Sequence, residues 1–171
     1  MLPMKTILHP TDFSQHSQNS FALAWSLARD HGARLILLQV NPPPLTYDEA
    51  MARREPGGYE DHLWRMLEAM RPLDPGVRLE PRLEDGDVPA QIVEVAQETG
   101  ADLIVMGTHG RTGLGRLLLG SVAEQVLRSA PCPVLTLKAP QKAIPVKAPA
   151  VATERVEPSI TGQPSQEVVA N

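Results

Sequence analysis

The chain has 171 residues, a net charge of -4, 4% aromatic residues and one cysteine. That length suits one domain with a sizeable core built mostly from aliphatic side chains, and the lack of a basic block argues against nucleic acid as a partner. No apolar run of about 18 residues is present to cross a membrane; Met1 to Lys5 has no signal-peptide layout, and the lone Cys132 excludes an internal disulfide, so a reducing cytoplasm is the expected location.

Thr6-Ile7-Leu8-His9-Pro10 reads as a first strand, ending in the turn Pro10-Thr11-Asp12. Ser14 is placed to cap a helix. Phe21, Ala24, Trp25 and Ala28 share one face of that helix, and Gly32 stops it. The unbroken apolar run Leu35-Ile36-Leu37-Leu38 predicts a second, buried strand reaching Val40. Residues 41–57 read as a loop, with a helical turn around Tyr47 to Arg54. Tyr59, Leu63, Met66, Leu67 and Met70 fall on one helical face, and Pro72 and Pro75 end that helix. Val77, Leu79 and Leu83 alternate with polar residues; Pro81 removes a ladder donor and predicts an edge strand. Asp87 caps a further helix with Pro89 in its first turn, Ile92, Val95, Ala96 and Thr99 inward, and Gly100 closing it.

The stretch that organises the chain comes next. Leu103 to Met106 is apolar without alternation, as in a parallel strand covered on both faces. It runs into Gly107-Thr108-His109-Gly110, nine intervening residues, and Gly120-Ser121-Val122. Glycines let a backbone approach a ligand closely, and a helix N-terminus offers unpaired N–H groups at a positive dipole end. Strand, glycine loop and helix start together predict an anion site, with phosphate the usual anion. The helix that follows turns Val122, Val126 and Ser129, with Ala123, Leu127 and Ala130, inward. Pro131-Cys132-Pro133 breaks it, and Val134 to Leu137 forms a fifth strand. From Ala139 to Asn171, scattered prolines among Ala, Val, Lys, Glu and Ser sustain no period, so residues 139–171 read as a disordered tail outside a folded unit of residues 1–138.

Strands alternating with helices predict an α/β fold: an open five-stranded parallel sheet with helices on both faces. In the order 3-2-1-4-5, strands one and four flank the crevice where the winding reverses, and Asp12 meets Gly107 there.

The blocks Ile7-Leu8-His9-Pro10-Thr11-Asp12-Phe13-Ser14, Ala101 to Gly107, Gly107-Thr108-His109-Gly110 with Gly120-Ser121-Val122-Ala123-Glu124, and Ala130-Pro131-Cys132-Pro133-Val134-Leu135 resemble the signature of the universal stress protein family over residues 4–138. The resemblance implies a Rossmann-like sheet of order 3-2-1-4-5 and a homodimer. The complete glycine signature resembles the family's ATP-binding branch, whose members respond to stress and whose output is a nucleotide-dependent regulatory state.

On that reading Gly107 and Gly110 let the main chain pass around ribose and phosphates, and Gly120, Ser121 and Val122 present N–H groups and the Ser121 hydroxyl to the outer phosphates. Pro10, Thr11 and Met106 line the pocket. Val40 frames adenine with its backbone groups, as the family position does. Asp12 is a candidate for a ribose hydroxyl, the adenine amine or Mg²⁺ beside the phosphates, and equally a turn residue. Arg111 is a candidate phosphate partner, Arg116 a weaker one. His9 reads as strand packing, His109 as a loop residue and Cys132 as an inert thiol. The loop lacks the Gly-Lys-Ser/Thr ending of a P-loop, and no residue stands out to activate water, so binding is better supported than turnover, with slow hydrolysis or autophosphorylation as its limit. Two other readings compete: an adenine-nucleotide α-hydrolase that adenylates a substrate, and a nucleotide-free adaptor. In the regulatory and adaptor readings, residues 134–137 form an edge that pairs with a second copy, and a further protein partner is left unidentified.

Overall fold

The structure is a computed structural model that describes residues 4–54, 57–71, 76–108 and 120–138. Ten elements follow one another: β1 (Thr6–Thr11), α1 (Gln15–His31), β2 (Arg34–Asn41), α2 (Tyr47–Arg54), α3 (Tyr59–Ala69), β3 (Leu79–Asp85), α4 (Val88–Thr99), β4 (Leu103–Gly107), α5 (Ser121–Ser129) and β5 (Val134–Leu137). The strands form one all-parallel sheet in the order β3-β2-β1-β4-β5.

The helix ends follow from their cap residues. Ser14 accepts from the Ser17 N–H at the start of α1, and Asp87 accepts from the Ala90 N–H at the start of α4. Gly32 and Gly100 close these two helices in the left-handed region, at φ 63° and φ 60°, where a side chain would be strained.

Alternate residues of the buried strands feed two cores, one on each face. Leu8, Ile36, Leu38, Ile104 and Met106 pack against Ile92, Val95 and Ala96 of α4 and Ala123 and Val126 of α5. Ile7, Leu35, Leu37 and Val105 pack against Ala24, Trp25 and Ala28 of α1 and Leu67 of α3. Helices therefore cover both faces, and the winding reverses between β1 and β4.

One inward face is narrower than its sequence suggests. Leu127 is 43% exposed and Ser129 is exposed. α5 has nine residues and lies over the end of the sheet beside β5, so only Ala123 and Val126 point fully inward, with Val122 and Ala130 half-buried. Leu127, one position past Val126, lies about 100° further round the helix.

The two sheet ends differ. On β3, Pro81 removes a donor, Arg82 pairs with Glu84 and with Glu98 of α4, and Glu80 pairs with Arg34 and Arg78. These charges and the proline blunt that edge. β5 carries Val134, Leu135, Thr136 and Leu137, with Leu135 38% exposed. His109, Gly110, Arg111, Arg116 and residues 139–171, for which the sequence carries expectations, lie outside the described residues.

Candidate functional site

The cleft begins with a missing hydrogen-bond donor. The Asp102 N–H donates to the Thr6 carbonyl, so alternate β1 residues (Thr6, Leu8, Pro10) turn their main-chain groups toward β4. The β1–β4 pairing runs through Ile7↔Leu103 and Leu8↔Ile104 and stops there. The next donor on that side would be Pro10, which has no N–H. On the other side, pairing with β2 continues to Thr11↔Gln39. The strands part where the fold reverses its winding, and a cleft of about 420 Å³ opens beyond their ends. That volume is in the range of small-molecule sites.

His9 ties the parting strands. Its Nδ1–H donates to the Val105 carbonyl at 2.7 Å, the oxygen that a donor at position 10 would otherwise meet. The ring is fully buried and tilted against Phe21. Burial pushes its pKa down to about 4, outweighing the upward pull of the Val105 bond and the Asp12 charge. The imidazole is therefore neutral at pH 7 with Nε2 bare. Ser17 Oγ lies 3.4 Å from Nε2 and 2.8 Å from Thr11 Oγ1. Thr11 Oγ1 also accepts from the Phe13 N–H. Hydroxyls on β1 and α1 thus link the cleft wall to the buried ring.

The predicted site residues converge. Pro10, Thr11 and Asp12 from β1 and its turn, Val40 from β2, Met106 and Gly107 from β4, and Gly120, Ser121 and Val122 from the start of α5 all line this one cleft. Leu38, Val40, Ile92 and Met106 give it an apolar wall suited to a flat ring. The opposite end is polar main chain. Gly120 is the N-cap of α5 and makes no side-chain cap, so among the described residues no N-cap side chain takes up the first-turn N–H groups there. α1 and α4, by contrast, have theirs capped by Ser14 and Asp87. Gly58 leaves α3 bare too, but that helix end is away from the cleft lining. Gly120 sits at φ -75°, ψ 155°, and Gly107 is not among the positive-φ glycines. Neither glycine is needed for an unusual backbone angle; each leaves space beside the main chain. The Gly120 N–H donates to the Thr108 carbonyl at 2.6 Å, so contrary to expectation it is engaged within the protein, and the Thr108 N–H donates to Leu137, which braces the start of α5 against β5.

Asp12 serves the turn and still has capacity. Its Oδ1 accepts from the Ser14 N–H at 3.0 Å and from Ser14 Oγ at 2.6 Å. These bonds hold Phe13 at φ 62°, an uncommon angle for a residue with a side chain, at the mouth of the cleft. Oδ2 takes no part in that turn and is the oxygen left for a ligand hydroxyl or a cation. No group of three or more His, Cys, Asp or Glu side chains that could hold a metal occurs among the described residues. A magnesium ion would rest on one carboxylate, phosphate oxygens and water, a common arrangement for this ion. Cys132 is half-buried, and desolvation first, then the Asp102 charge, pushes its thiol pKa up, which leaves it a poor nucleophile.

Eight lining residues escape the sequence reading of the site: the apolar or proline positions Leu38, Pro42, Ile92 and Ala123, and Ser17, Gln39, Val88 and Thr108. Val88 follows a cap and Thr108 falls inside the glycine motif, so each has a local explanation that hides its second role. Gln39 interrupts an otherwise apolar strand, and that polar break was the available signal.

Comparison with known proteins places this geometry. Residues 3–138 match the model of the universal stress protein family. A universal stress protein of Thermus aquaticus, named for the 3' region of a QAH/OAS sulfhydrylase, is 36% identical over 141 residues, covering 78% of this chain and 98% of its own. A family member from Burkholderia pseudomallei has a solved structure similar to this one at TM-score 0.64 and 33% identity, covering 81% of this chain and 99% of its own. A universal stress protein solved in complex with cAMP is similar at TM-score 0.62 and 26% identity, covering 79% and 97%. With the 3-2-1-4-5 sheet, the parted β1 and β4, and the glycine-capped α5, these matches show that the chain belongs to the universal stress protein family.

Proposed function

We propose that this protein binds ATP in the β1–β4 cleft and acts as a regulatory protein in a stress response, its nucleotide state altering contacts with a second copy or with another protein. The observation that carries the reading is one cleft with an apolar wall at the β2 end and an uncapped helix N-terminus at the α5 end. Adenine suits the first and polyphosphate the second. Asp12 Oδ2 stands between them for a ribose hydroxyl or for Mg²⁺. The complex of a related universal stress protein with cAMP supports an adenine nucleotide as the ligand class.

The described residues favour binding over rapid turnover. His9 is buried and neutral, Thr11 and Ser17 are bonded to one another, and no lysine lines the cleft. Hydrolysis or autophosphorylation would be slow. The test is to denature the purified protein and identify the released small molecules by mass spectrometry, with calorimetry on the stripped protein. ATP or another adenine nucleotide is expected; a protein that releases none and takes up none from millimolar ATP with magnesium refutes the reading.

Homodimerisation through β5 belongs to the same proposal. The outer edge of β5, unpaired among the described residues, with Leu135 exposed on the strand and Leu127 exposed on α5, offers main-chain pairing and apolar burial together. Light scattering at micromolar concentration is expected to give twice the chain mass. Leu135→Lys is expected to give the monomer mass; an unchanged mass in that variant assigns the interface elsewhere.

A further inference from the structure

Gln39 is polar, 8% exposed, and lines the cleft beside Val40. Its Nε2–H donates to the Val40 carbonyl at 3.0 Å. Its Oε1 is buried without a hydrogen-bond partner. Exchanging the two amide atoms would set Oε1 against a carbonyl oxygen, so the orientation is fixed by chemistry. A dry, unpaired acceptor is costly and calls for an explanation. Thr11, its register partner on β1, does not relieve it: the Thr11 hydroxyl is engaged by Phe13, Ser17 and Met70.

We infer that the Gln39 amide and the Val40 carbonyl together form an acceptor pair that selects a ligand ring bearing an exocyclic amine. This rests on the proposed nucleotide reading and names what that site requires of the base. An –NH₂ group has two hydrogens. One goes to the second lone pair of the Val40 carbonyl, which keeps the Gln39 N–H it already holds. The other goes to Oε1, the acceptor left without a partner. One ligand group thus satisfies the orphaned acceptor without releasing the Gln39 donor. A ring with a carbonyl at that position donates to neither: Oε1 stays unpaired, and the ring oxygen can gain the Gln39 N–H only by taking it from Val40. Sites that pair a buried polar group with a ligand hydrogen discriminate strongly against analogues lacking it.

Calorimetry with ATP and inosine triphosphate, which differ by amine against carbonyl, tests this on the full chain. The wild-type protein is expected to favour ATP by about tenfold or more, the equivalent of one net hydrogen bond. Gln39→Met keeps the length and removes the acceptor. It should cut that preference about fivefold or more, mainly through weaker ATP binding. If Gln39→Met fails to fold, Gln39→Asn, which shortens the reach by one methylene, is expected to show the same narrowing. A folded variant with an unchanged ATP-to-inosine ratio overturns the role of Gln39 and leaves the nucleotide site standing. A wild-type protein that binds neither nucleotide overturns both.

Discussion

Gly120→Val is expected to lower ATP affinity by at least about a hundredfold while the protein still folds. The backbone at Gly120, φ -75° and ψ 155°, is ordinary extended geometry that valine adopts readily. Gly120 lines the cleft at the N-cap of α5, so branches added there bring bulk to the end of the cleft where the first-turn N–H groups lie. Hydrogen bonds to a charged group contribute about 1.5–3 kcal/mol each, so losing two accounts for the size of the effect. Calorimetry with ATP and magnesium, beside a thermal melt, separates the two consequences. A variant that melts as wild type yet binds ATP equally well would remove the phosphates from this helix end.

The second large effect is acid instability through His9. Its folded pKa of about 4 lies below the ordinary value of 6.5. Between those values the unfolded chain takes up a proton that the folded one refuses, so stability falls as pH falls. The contribution is intact above about pH 6.5 and is lost progressively on approach to pH 4. At about 1.4 kcal/mol per pKa unit the loss is roughly 3 kcal/mol, a large fraction of an ordinary domain's stability. Urea midpoints from pH 7 to pH 4 are expected to drop more steeply in the wild type than in His9→Asn, which keeps a donor for Val105 but cannot take up a proton. The comparison isolates the histidine, because carboxylates such as Asp102, held low by the Lys5 and Thr6 N–H groups, contribute to acid loss in both proteins. Parallel curves for the two proteins would show that the ring is not the acid-sensitive group.

Much of this could be read from the residues because local signals agreed with the fold. Apolar runs marked β1, β2 and β4, Ser14 and Asp87 marked helix starts, and Gly32 and Gly100 marked helix ends, as the structure has them. Pro81 placed β3 at an edge for a reason that holds in the sheet. The cleft residues were found because glycine motif and switch point fall together. What escaped depends on tertiary partners. His9 reads correctly as a packed strand residue, but its bond to Val105 follows from a donor that Pro10 lacks on the neighbouring position. Ser17 carries no local signal of its role, which depends on Thr11 and His9 being brought against it by the fold. Leu127 reads as inward because a period describes a helix face without saying how wide a surface waits to cover it.

The unlike ends of the sheet bear on how far association can proceed. A sheet with two receptive borders can add copies without limit and grow into a fibre. Here, among the described residues, proline and ion pairs close the β3 border, and the dimer proposed above uses the β5 border. Joining two such borders about a two-fold axis consumes both, and growth stops at a finite particle.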